Sequence, residues 1–124
     1  MDVVVTDKAP AAIGPYSQAI KTGGLLFCSG QIPLDPHSGE LVCGTIEEET
    51  TRVMENLQAV LIAAGAEFGQ VVKTTIYLAD MADFQVVNQV YGSYFSASKP
   101  ARSTVAVAAL PKGARIEIEA VAAL

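Results

Sequence analysis

The chain has 124 residues, 51% hydrophobic and 17% charged, with 8 Lys and Arg against 13 Asp and Glu for a formal charge of −5. That length allows one core and one domain, 1–124. The acidic balance argues against nucleic acid as the main partner, because phosphate binding rests on Lys and Arg, and no apolar run approaches the roughly 20 residues of a membrane helix.

Met1-Asp2 opens on an acid with no basic and apolar leader behind it, so a secretory signal is not expected and the cytoplasm is the expected location. Val3 to Val5 is a short edge-strand candidate. Ala11 to Tyr16 carries Gly14-Pro15 and reads as a loop. Ser17 to Lys21 and Leu25 to Ser29 read as two strands joined by Thr22-Gly23-Gly24, a hairpin signal. Gly30 follows, at a strand end or at a point where backbone approaches a ligand. Pro33 to Gly39 marks a long turn that contains His37.

Thr45 with Glu48 forms a capping box, and Glu47, Glu48 and Glu49 suit the positive end of a helix dipole. Val53, Leu57, Val60, Leu61 and Ala64 give that helix one apolar face, Glu48 and Arg52 are spaced to pair, and Gly65 closes it. Val71 to Leu78 is the strongest strand, rich in β-branched residues. Asp80 suits the cap of a second helix over 82–96, with Phe84, Val87, Tyr91, Tyr94 and Phe95 inward and Asn88 beside them. Lys73 and Lys112 are expected to be solvated rather than Schiff-base lysines. Cys28 and Cys43 form no CxxC pair, and with one histidine they make no metal site; no cofactor is implied.

Ser103 to Ala109 and Arg115 to Val121 alternate as strands around Pro111 and Gly113. Two charges stand out. Arg102, at the mouth of the first run, is the natural clamp for a carboxylate, since its planar fork donates two parallel hydrogen bonds. Glu117 sits between two isoleucines, where a partly desolvated carboxyl can hold water or move a proton, although a solvent-facing strand position explains it as well. Arg115 and Glu119 fit the solvent face. Were the two runs a tight hairpin, Glu117 would lie opposite residue 108, about 20 Å from Arg102. The connection is therefore not a tight hairpin, or the two residues meet across a subunit boundary.

The run Pro100-Ala101-Arg102-Ser103, the following Thr104 to Gly113, and Ile116-Glu117-Ile118-Glu119 resemble the signature of the RidA (YjgF) family of enamine/imine deaminases. Ala12 to Ala19, Ser29-Gly30-Gln31-Ile32-Pro33 and Asp83 to Asn88 resemble further motifs of that family, in order and with its spacing. The resemblance implies an α+β, chorismate-mutase-like fold, a mixed sheet of about six strands with two helices packed on one face. It implies a homotrimer with three intersubunit clefts, which would also cover the excess of apolar residues.

The implied activity is hydrolysis of 2-imino or enamine acids, such as 2-iminobutanoate and 2-iminopropanoate, to 2-keto acids and ammonia. By that resemblance Glu117 is catalytic, Arg102 anchors the substrate carboxylate, backbone near Gly30 and Thr104 orients it, and Tyr16 and Asn88 wall the pocket. Many relatives carry Cys where this chain has Thr104, and some have an aromatic at Lys99, which bears on pocket shape. The alternatives are a non-catalytic ligand-binding trimer with a regulatory role in purine or amino-acid metabolism, and an endoribonuclease acting as a translation inhibitor, which the charge and the lone His37 disfavour.

Overall fold

A computed structural model describes residues 1–124. Its first helix, α1 (Ile46–Ala63), begins where the capping residues predict: the Thr45 hydroxyl accepts from the Glu48 amide, and the Glu48 carboxylate accepts from the Thr45 amide. It ends at Gly65, in the left-handed region at φ 78°, where the Gly65 and Ala66 amides donate back to the Ile62 and Leu61 carbonyls. Val53, Leu57, Val60 and Leu61 are fully buried, so the apolar face is the one the spacing predicts. The expected Glu48–Arg52 pair does not form. Glu48 is committed to the cap, and Arg52 turns instead to Glu55 and to the side chain of Asn56.

The sheet has six strands: β1 (Asp2–Val4), β2 (Ala19–Thr22), β3 (Leu25–Gln31), β4 (Val71–Leu78), β5 (Ala101–Ala106) and β6 (Ile116–Ala123). Their order is β1-β2-β3-β6-β4-β5, and only the β4–β5 pair is parallel. The second helix, α2 (Phe84–Tyr94), is shorter than the expected 82–96, because Asp80 caps a turn of 3₁₀ helix at 81–83 that leads into it. Both helices pack on one face, over Leu26, Cys28, Ile76, Leu78, Ile116 and Ile118. This is the six-stranded mixed sheet with two helices on one face that the family resemblance implies.

The last two runs do not form a tight hairpin, which is one of the two alternatives the sequence leaves open. β4 lies between β5 and β6, pairing parallel with one and antiparallel with the other. Burial gives the reason. Ile116, Ile118, Ala120 and Ala122 alternate as an apolar stripe that fills a central position, whereas β5 is exposed at five of its six residues and belongs at an edge. Arg115 also departs from the solvent-face reading. Its guanidinium pairs with the buried Glu49 carboxylate and donates to the Gly44 carbonyl, tying the start of β6 to the start of α1.

Opposite the helices the sheet is open. Phe27 on β3 and Val105 on β5 are 44% and 42% exposed there, with Val121 of β6 opposite Phe27 in the ladder. The first loop crosses one end of this face. Gln18 fastens it: the buried side-chain amide accepts from the Thr6 amide and donates to the Thr6, Ala9 and Pro10 carbonyls.

Candidate active site

The six candidate residues fall into two groups. Tyr16, Gly30 and Glu117 line a single cavity of about 650 Å³ at one end of the open face. Its other walls include Ile13 of the loop, Ile32 after β3, Lys112 of the 111–113 turn, and Glu119 of β6.

Gly30 lies within an irregularity of β3, where the pairing with β6 slips between Cys28 and Gln31. A Cβ at position 30 would fall 2.8 Å from Glu117 Cδ and 2.9 Å from its Cγ. The missing side chain is therefore the space that the Glu117 carboxylate occupies. Glu117 is half-buried and accepts no hydrogen bond from the chain. Burial raises its pKa above the ordinary carboxylate value, and the charge of Glu119 adds to the rise. A carboxyl in this state has free lone pairs, sits in a partly apolar wall, and holds a proton at higher pH than usual.

The second group is on β5 and α2. Alternation along β5 turns Arg102 and Thr104 toward the helix side, level with buried Thr74 and Ile76 of β4. The Arg102 guanidinium stands 5.0 Å from the ring centre of Tyr91 and 5.5 Å from that of Phe84. It donates to Asn88 Oδ1 at 2.7 Å. Tyr91 is fixed in turn by a 2.6 Å hydrogen bond between its hydroxyl and that of Thr74. Arg102 makes no ion pair: the two salt bridges of the chain are Arg52–Glu55 and Arg115–Glu49. Its remaining donors lie at an exposed sheet edge, presented by two rings and one amide. Thr104 Oγ1 is buried and has no partner.

Within one chain the two groups do not meet. Arg102 is level with Thr74 and, beyond it, Ala120, so Glu117 is two strands over and three residues along, roughly 14 Å between α-carbons. The side chains also leave opposite faces of the sheet. Asn88 joins Arg102, away from Tyr16 and Gly30. Lys112 is exposed, as expected, yet it lines the Glu117 cavity and donates to the Gly39 carbonyl at 3.2 Å. Lys73 is bonded to the Thr74 carbonyl and the Thr75 hydroxyl.

Sequence reasoning placed Glu119 on the solvent face and gave it no part in a site, yet it lines the cavity. Its signal was the two-residue strand period, which sets it on the same face as Glu117. No cluster of three or more His, Cys, Asp or Glu side chains is arranged to hold a metal ion.

A family model described as Endoribonuclease L-PSP matches residues 6–124. The 2-iminobutanoate/2-iminopropanoate deaminase of Mus musculus is 55% identical over 120 residues, covering 97% of this chain and 89% of that one. Among solved structures, a candidate endoribonuclease of Thermotoga maritima is 57% identical with a TM-score of 0.98, covering 100% of this chain and 98% of its own. TdcF of E. coli, solved with bound serine, is 39% identical with a TM-score of 0.95, covering 100% of this chain and 99% of its own.

Proposed function

The chain belongs to the Endoribonuclease L-PSP family, the RidA (YjgF) family, and from that membership we propose that it hydrolyses 2-imino acids and their enamine tautomers to 2-keto acids and ammonia. Its substrates are of the 2-iminobutanoate and 2-iminopropanoate kind. One observation carries the reading: Glu117 is a half-buried carboxyl with no partner in the chain, seated in the space a glycine leaves open. That is the equipment for holding one water and moving one proton.

The imine carbon is already electrophilic, so no covalent nucleophile is needed. Arg102 binds the substrate carboxylate through the donors that Asn88 does not take. Glu117 accepts a proton from water as the water oxygen bonds to C2 and the C=N electron pair moves to nitrogen. The resulting carbinolamine receives that proton on nitrogen. Glu117 then takes the proton of the carbinolamine hydroxyl and delivers it to nitrogen as the C–N bond breaks, so that ammonia leaves and the oxygen electron pair closes the keto group. Backbone at Gly30 and Thr104 orients the substrate, while Tyr16 and Asn88 wall the cleft.

A complete site needs both groups of residues, and one chain holds them on opposite faces. That separation calls for an oligomer, and from the family resemblance we infer a homotrimer with three clefts, each pairing the β5 edge of one copy with the Glu117 cavity of the next. The exposed β5 and the apolar Phe27 and Val105 of the open face support that assembly. The cytoplasm is the proposed location, and no helix is long and apolar enough to cross a membrane. RNA cleavage, which the family description names, is opposed by the charge of −5 and by two carboxylates in the cavity, which repel a phosphodiester.

The test is a coupled assay in which a threonine dehydratase generates the imine. Added protein is expected to speed keto acid release, and Arg102→Ala to lower kcat/KM by about two orders of magnitude. No acceleration, with tight binding of a small keto acid, would establish a ligand-binding protein instead.

A further inference from the structure

Glu117 and Glu119 leave the same face of β6 and line the same cavity, about 7 Å apart along the strand. They are not equivalent. The Tyr77 hydroxyl donates to Glu119 Oε1, although Tyr77 pairs in the ladder with Glu117 rather than with Glu119. A phenol has one proton to donate, and here it is spent on Glu119. That bond gives Glu119 a donor and leaves Glu117 without one. Two neighbouring carboxyls resist ionising together, so the one lacking a donor is the one that takes a proton.

We propose that the Tyr77–Glu119 pair is a positioning unit for the reaction: it fixes a negative charge beside Glu117, which makes Glu117 the carboxyl that carries the proton. This rests on the reading of Glu117 as the group that handles the proton. The burial that raises the Glu117 pKa acts in the same direction as the Glu119 charge.

The other groups packed around Glu117 do not undo the effect. β3 presents Gly30, and the first loop presents Tyr16. The 111–113 turn presents Lys112, whose ammonium is bound to the Gly39 carbonyl. Lys73, farther along β4, is bound to its own strand. In the proposed trimer the remaining charge is Arg102 of a neighbouring copy, engaged by the substrate carboxylate.

Two readouts test the proposal on the intact protein. In a ¹³C-carboxyl NMR titration, with the Glu117 signal assigned by its loss in Glu117→Gln, the Glu117 midpoint is expected to move to lower pH in Glu119→Gln. Tyr77→Phe is expected to lower it as well, because neither carboxyl then has a hydrogen-bond donor to distinguish it from the other. In kinetics, the acid limb of kcat/KM should move to lower pH in the same variants. A Glu117 midpoint unchanged in both variants overturns the proposal, whatever the activity. A moved midpoint in a protein without deaminase activity would leave the charge relation standing and remove the deaminase reading instead.

Discussion

At Gly30 a single methyl group separates a formed cavity from a blocked one. The atoms a Cβ would meet belong to the Glu117 side chain, which can swing away, rather than to backbone. Gly30→Ala is therefore expected to fold, with a modest loss in melting temperature, while kcat/KM falls about 100-fold or more because the carboxyl loses its seat. Glu117 itself carries a cost to the fold. Its pKa is raised in the folded chain, so the fold favours the protonated form. Relative to the unfolded chain, that preference is harmless below the ordinary glutamate value and becomes a penalty as pH rises through the folded one. Glu117→Gln should consequently melt above the wild-type protein at pH 7, with the gap closing toward pH 4, as thermal unfolding at the two pH values would show. The role of Glu117 was hard to see in the sequence because strand alternation accounts for a charge between isoleucines equally well. The feature that distinguishes it, a glycine lying across the ladder, is 87 positions away.

The ends of the first helix were legible and strand neighbours were not. The Thr45 cap and the Gly65 stop involve residues three to five apart, so local chemistry determines them. Thr45→Ala should cost about 1 kcal/mol in denaturant unfolding and leave kcat/KM unchanged, since the cap lies outside the cavity. The order of β4, β5 and β6 depends instead on which stripe can be buried on the helix side. Pro111 and Gly113 mark a turn correctly, but a turn does not make its flanking strands partners. Arg115 illustrates the same limit. Its partner Glu49 is 66 positions away on another element, and nothing within β6 announces it.

For the whole molecule, the separation of Arg102 from Glu117 yields a sharp test. Arg102→Ala and Glu117→Gln should each retain about a hundredth of wild-type activity or less alone. Unfolded together in equal amounts and refolded, they are expected to regain about a quarter of wild-type activity, the share of clefts that draw an intact Arg from one copy and an intact Glu from another. No recovery would mean that each site is built within one chain. The strand order has a further consequence. β6 is the last of the six strands in sequence yet pairs with both β3 and β4, so it is the wedge that unites the two halves of the sheet. On the ribosome the first 115 residues emerge with the central slot vacant, and β3 and β4 have nothing to bind them together. Folding of the sheet must await the emergence of β6, and a nascent chain stalled before Ile116 presents two raw strand edges to chaperones.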